Sequence, residues 1–254
     1  MLLKDKVAVI YGAGGAIGGA VARAFSREGA RLFLTGRTKP SLDGIAADCA
    51  AVDALDEQAI DHHLHRVIDK AGRIDVSFNA IGLPDHTIVG VPLIELPADQ
   101  FVDPIAAYLK SYFLTARLAA RRMVANKSGV IMTVSALPAR TGTRLNGGYG
   151  SALAGKEALT RDLSAELAPH GIRVVALRPH GMSETATMKE LFELKAQKGG
   201  MTWNQFESYL AGMTHPRRIM KLAEMANVAA FVASDQATAM TGTTVNMTMG
   251  SLDD

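Results

Sequence analysis

"VAVIYGAGGAIGGAVARAF", residues 7–25, reads as a strand, a glycine turn and a helix in immediate succession. Gly12 permits the tight turn, and Gly14 and Gly15 let the backbone approach a ligand closely. Gly18 lets the helix pack against the strand, and Ile17 lies in the helix's first turn. The helix N-terminus offers free N–H groups and a partial positive charge to a pyrophosphate. A glycine motif alone is weak, but strand before and helix after is the context in which it signals a dinucleotide site. A glycine turn that only packs is the alternative.

Working outward, short apolar runs alternate with helical patterns along the 254 residues. Strands are predicted at 7–11, 31–35, 50–52, 74–79, 130–135, 173–177 and 243–247, and helices at 16–28, 56–70, 101–125, 149–167 and 220–234. The fold class that follows is α/β: a single-domain, Rossmann-type, doubly wound parallel sheet with helices on both faces. Strands apolar throughout agree, because such strands are buried on both sides. The crossover from Arg37 to Asp53 has room for a helix of only one or two turns. Residues 183–218 carry scattered Met188, Leu191, Phe192, Met201, Trp203, Phe206, Tyr209 and Met213. Such a segment suits a helical lid over a pocket, or else a packed hairpin or subunit contact.

Apolar residues make up 48% and charged residues 20%, with a net charge of +2. That balance gives no electrostatic case for nucleic acid or a membrane surface. Cys49 is the only cysteine, which excludes an internal disulfide and favours a reducing compartment. No apolar run reaches the roughly 20 residues of a membrane helix, and the first strand breaks into glycines too early for a signal peptide. The expectation is a soluble, cytoplasmic protein with a small-molecule substrate. His62, His63 and His65 are read as solvated histidines of a surface helix, and no metal is expected.

The second strand ends in "FLTGRTK". An acidic residue there would bond an unphosphorylated ribose, whereas arginine suits a 2′-phosphate. Gly36 occupies the acidic slot, followed by Arg37 and Thr38, so the cofactor expected is NADP(H). A solvated surface arginine is the alternative.

With these motifs in order, the chain resembles the short-chain dehydrogenase/reductase family over nearly its whole length. Asp53 in "AAVDALDE" matches the acidic residue that meets the adenine in that family. "FNAIG", with Asn79, Ala80 and Gly82, resembles its Asn-Ala-Gly motif. "ELAPHGIRVVALRPHGMSET" resembles the segment entering the nicotinamide site, with Pro179, Gly181 and Thr185 as the implied contacts. "VAAFVASDQATAMTGTTVNM" resembles the last helix and strand. The resemblance also implies a homo-oligomer, dimer or tetramer.

The family's chemistry uses Asn, Ser, Tyr and Lys, and here the pattern departs. Tyr149 in "GGYGSALAGKEALT" fits the tyrosine that exchanges a proton with the substrate oxygen. Its lysine partner, four residues on, is Leu153. The serine slot falls on Ala136, with Ser135 one residue before, and the asparagine slot on Tyr108. Tyr11 and Ala16 replace the threonine and the middle glycine of the turn. Lys156 shares the face of Tyr149, about 20° away around the helix, but lies about 10.5 Å along the axis rather than about 6 Å. The candidate catalytic set is therefore Tyr149, Ser135 and Lys156. A tyrosine without a neighbouring cation keeps its high pKa, so reduction, in which neutral tyrosine donates, is favoured over alcohol oxidation. The expectation is an atypical NADP(H)-dependent reductase of a carbonyl or related unsaturated small molecule. A cofactor-binding scaffold without turnover and a non-redox isomerase or dehydratase remain as alternatives.

Overall fold

Strand β1 (Val7–Tyr11) alternates its side chains between two cores. Ala8 and Ile10 join an apolar cluster with Val21, Phe25, Met225 and Ala229 on one face of the sheet. Val7, Val9 and Tyr11 join a second, with Leu64, Tyr112, Leu118 and Leu163, on the other. A strand that must be apolar on both sides is a central strand, and β1 is central. The computed structural model describes residues 1–82, 89–184 and 186–253.

The other strands are β2 (Arg31–Gly36), β3 (Ala47–Ala51), β4 (Val76–Asn79), β5 (Gly129–Val134), β6 (Ile172–Pro179) and β7 (Thr243–Met247). All neighbours pair parallel, in the order β3-β2-β1-β4-β5-β6-β7. The helices are α1 (Ala16–Arg27), α2 (Glu57–Ala71), α3 (Ala98–Met123), α4 (Tyr149–Leu167), α5 (Ala186–Lys198), α6 (Trp203–Gly212) and α7 (Leu222–Ala233). This is the doubly wound α/β architecture expected. Helices α1 and α7 pack on one face and α2, α3 and α4 on the other. None of the described helices is long and apolar enough to cross a membrane.

Three local expectations are corrected. No helix forms among residues 37–46, and the chain crosses by bends and a turn instead. Strand β3 begins at Ala47 rather than at residue 50, fixed by its pairing with β2. His63 is not solvated. It is 3% exposed, inside α2, and burial pushes its imidazole down to about 4.

Helix α2 has well-defined ends. Asp56 accepts from the N–H groups of Gln58 and Ala59 at 2.9 and 3.1 Å, and Gly72 closes it in the left-handed conformation, the usual chemistry of both termini.

Candidate active site

Because every strand runs the same way, all the carboxyl ends meet at one edge of the sheet, where open α/β sheets bind ligands. Tyr11, Gly36, Asn79, Val134 and Pro179 are each the last or penultimate approach to that edge. Gly12 follows β1 with φ +76°, and a Cβ there would meet the Ala80 carbonyl oxygen at 2.7 Å. A Cβ on Gly18 would lie 2.3 Å from the Gly12 oxygen. Both glycines therefore hold backbone against backbone. Gly14 differs, since nothing lies within 4 Å of its added Cβ. Gly14 and Gly15 are exposed, beside a helix whose N-terminus has no side-chain cap. Uncapped N–H groups above an open glycine surface fit a phosphate. Ile17 sits half-buried in the first turn of α1.

Arg37 and Thr38 are exposed just beyond β2. A Cβ on Gly36 would approach the Thr38 oxygen at 3.0 Å, so the acidic slot has little room for a side chain. Asp53 is exposed after β3, and its carboxylate accepts from Leu55 N–H at 2.9 Å. Asn79 is buried. It donates to Thr115 Oγ1 at 3.1 Å and accepts from Ile81 N–H at 3.3 Å, tying β4 to α3. Ala80 N–H reaches back to the Tyr11 carbonyl at 3.0 Å, and Gly82 is exposed. Thr185 lies outside the described residues.

Tyr149 is the first residue of α4 and is half-buried. Its ring meets that of Tyr108, from α3, edge to face, with centroids 5.9 Å apart. Lys156 also approaches the Tyr108 ring. Its ammonium sits 5.6 Å from the Tyr108 ring and 5.8 Å from that of Tyr112, and donates to the Val134 carbonyl at 2.7 Å. At 1% exposure, burial pulls its pKa down to about 7. Leu153 fills the space one turn after Tyr149 and is 2% exposed.

Ser135 is engaged with a group that the motifs did not indicate. Its Oγ donates to Glu157 Oε1 at 2.6 Å, and Glu157 also receives Arg178 Nε and Nη2 at 2.8 and 2.7 Å. All three side chains are buried. The sequence signal was present in the strand "IRVVALRP", where Arg178 is a polar residue at an alternate position of a buried run.

Helices α5 and α6 lie over the carboxyl end of β6. The Phe192 and Phe206 rings meet at a tilt of 56°, with centroids 5.7 Å apart, and, with Ala196, form a small apolar core of their own. A Cβ on Gly181 would touch Phe192 at 3.1 Å. Lys195 donates to Asn146 Oδ1 at 2.6 Å, and the Asn146 carbonyl accepts from Tyr149 N–H at 3.2 Å. Much of the apolar surface of 183–218 is thus spent between the two helices.

Residues 12–251 match the family model described as enoyl-(acyl carrier protein) reductase. The chain belongs to the short-chain dehydrogenase/reductase family. Among its relatives in this family is the "uncharacterized oxidoreductase YxbG" of Bacillus subtilis, 32% identical over 94% of this chain and 88% of that one. The 3-oxoacyl-[acyl-carrier-protein] reductase FabG of Rickettsia felis is 28% identical over 98% of each chain. The solved NAD+-bound xylitol dehydrogenase superposes with a TM-score of 0.89, at 25% identity, covering 98% of this chain and all of that one. These likenesses make the short-chain dehydrogenase/reductase reading one of an oxidoreductase scaffold along the entire matched length.

Proposed function

We propose that this protein is an NADP(H)-dependent reductase of a small carbonyl or related unsaturated compound, with Tyr149 as proton donor. The observation that carries the reading is the placement of Tyr149. It heads α4 at the same sheet edge as the open Gly14–Gly15 surface. Gly14, Gly15, Ile17 and Gly18 would hold the pyrophosphate, and Arg37 with Thr38 the 2′-phosphate. Asp53 would meet the adenine, and Asn79, Ala80, Gly82, Pro179, Gly181 and Thr185 would line the remainder. NADPH, when bound, supplies the hydride that reduces the carbonyl carbon.

Tyr149 gives its phenolic proton to the substrate oxygen as the C=O bond becomes C–OH, and recovers a proton from solvent. Ser135, through its buried link to Glu157, holds the end of β5 in place beside that oxygen. Lys156 is too deep to bond a ribose and supports Tyr149 through the Tyr108 ring. Helices α5 and α6 act as the lid that excludes water. The names of the relatives, a 3-oxoacyl reductase and a polyol dehydrogenase, favour carbonyl–alcohol chemistry and a nicotinamide.

The test is calorimetry with NADPH and NADH, followed by NADPH consumption over ketones, quinones and enones. NADPH should bind more tightly, and Arg37→Ala should erase most of the difference. Equal affinities in the parent protein would remove the NADP(H) assignment. One observation favours a second reading, a cofactor-binding scaffold without redox turnover: the lysine slot holds buried Leu153, and the nearby ammonium is tied to Val134. A parent protein that binds NADPH and reduces nothing in the panel would establish that alternative.

A further inference from the structure

Helix α4 begins without a side-chain cap: its first residue is Tyr149, and Gly148 before it offers only backbone. The N–H of Tyr149 is one of the donors that a helix start leaves unmet. Here the Asn146 carbonyl accepts it at 3.2 Å. The seat of the proposed proton donor therefore depends on the loop ahead of it, and that loop is not relaxed. Leu145 stands at φ +56°, in the left-handed region that a residue with a bulky side chain seldom adopts, and Gly147 follows at φ +50°. Such a conformation persists only where its surroundings over-determine it.

What determines it comes from outside α4. The Leu145 carbonyl accepts from Gly90 N–H at 2.9 Å. Asn146 is 4% exposed, and its Oδ1 accepts from the Lys195 ammonium of α5 at 2.6 Å. An ammonium only donates, which fixes the touching atom as the amide oxygen. The amide nitrogen is buried and has no partner, so among the described residues Lys195 is the only hydrogen-bond anchor of this side chain. One turn further along α5, the Lys198 stem lies against Gly90, where an added Cβ would meet its Cγ at 3.1 Å. Residues 195 and 198 share a face of the helix. One face of α5 thus bears on Asn146 directly and on the residue that holds Leu145.

We infer that Lys195 is a positioning residue: by pinning Asn146 it fixes the carbonyl that seats the Tyr149 N–H, and so couples the cover formed by α5 to the alignment of the proton donor. The inference rests on the reductase reading for the role of Tyr149. An asparagine side chain has two rotatable bonds, so holding its oxygen restrains the backbone of the same residue. Misplacing a reacting group by about 1 Å can cost two orders of magnitude in rate. The glycine turn between β1 and α1 makes neither of these contacts, so the effect falls on the chemical step rather than on the nucleotide. Closing the cover and aligning the donor are then one event.

Lys195→Met should lower kcat for ketone reduction by about tenfold, as a slightly misplaced donor would, with NADPH affinity and thermal midpoint close to the parent's. Asn146→Ala should do the same. The double variant should be no slower than either single one, because both remove the same contact. Lys195→Arg, which keeps a cationic donor, should retain most of the rate. Independently of turnover, hydrogen exchange is followed in protein labelled with 15N-tyrosine. The chain has five tyrosines, and the Tyr149 amide is identified by its absence in Tyr149→Phe. In Lys195→Met that amide should exchange about tenfold faster, the protection of roughly one hydrogen bond being lost. Tyr112, buried in the middle of α3, should keep the parent's rate. Asn146→Ala gives both readings if the methionine variant fails to fold. A parental kcat, a parental Tyr149 exchange rate, or losses that multiply in the double variant would overturn the inference. A parent that reduces none of the ketones would defeat the reductase reading alone, and the amide would still decide whether Lys195 holds the loop.

Discussion

The ring of Tyr108 stands edge-on to that of Tyr149, 5.9 Å between centroids and 66° between planes. The Lys156 ammonium lies 5.6 Å from the centroid of the same Tyr108 ring. One ring thus contacts both the tyrosine and the cation. With Leu153 buried one turn after Tyr149 and the Lys156 ammonium bonded to the Val134 carbonyl, a donor tyrosine suits this arrangement better than a tyrosinate base.

Tyr149→Phe should lower the reduction rate by about 100-fold or more, the usual scale of general acid catalysis. NADPH affinity should stay nearly constant, because the glycine cradle is untouched. Steady-state kinetics with calorimetry checks both. An active phenylalanine variant would move the proton source to Ser135 or water.

Exchanging the lysine and leucine should restore the family's spacing. Leu153 and Lys156 are both buried and three residues apart on one face of α4. Leu153→Lys alone places a second buried ammonium near the first and should cost about 3 kcal/mol or more. The double variant Leu153→Lys, Lys156→Leu keeps a single buried cation, so it should regain part of that stability. It should also reduce ketones faster than the parent. Thermal unfolding and NADPH consumption read the two effects, and a slower, well-folded double variant would mean that apolar Leu153 belongs to the working pocket.

The pH dependence of stability should carry a lysine signature. The Lys156 pKa is about 7 when folded, against its ordinary 10.5. Between those values the unfolded chain binds a proton that the folded chain refuses, so stability falls as pH drops from 10.5 towards 7 and the loss is complete below 7. Lys156→Met removes the slope. It should be more stable than the parent by roughly 3–5 kcal/mol near pH 6 and nearly equal to it above pH 10. Urea unfolding at several pH values measures the difference. A difference that does not vary with pH would mean that the ammonium is not desolvated.

Arg178→Met should destabilise the fold by about 3–5 kcal/mol, because Glu157 is left buried without its cation. Adding Glu157→Leu should recover much of that loss, at the expense of the Ser135 contact. The double variant should therefore show a reduced kcat while remaining folded. Full activity in it would make the triad purely structural.

The sheet and its long helices were legible because their signals are local. β-Branched runs, helical apolar periodicity and a glycine turn each act over a few residues. β3 was misjudged because "ADCAA" contains no β-branched or aromatic residue, and its extent is set by pairing with β2, as strand propensity often is. The missing helix at 37–46 has the same origin, since an earlier strand leaves a shorter crossover. Within the site, the glycine turn between β1 and α1 was readable from spacing. The partners of Ser135 were not, because Glu157 and Arg178 lie 22 and 21 residues from the groups they bond and meet only once α4 docks on β6. His63 was misread because alternate residues of "HHLH" fall on opposite sides of a helix, and only one side is solvent.

The glycines of the turn serve two masters, and this governs how the sequence can drift. Gly12 and Gly18 are closed to side chains by the protein's own backbone, with or without a nucleotide. A descendant that abandoned dinucleotide binding would keep both, since a side chain at Gly12 would strike the Ala80 backbone beyond β4 and one at Gly18 would push α1 off the turn. Only Gly14, open on its outer side, is released from constraint when the ligand is lost. The surviving half of such a motif therefore records the ancestry of the fold, and the free half records its present use.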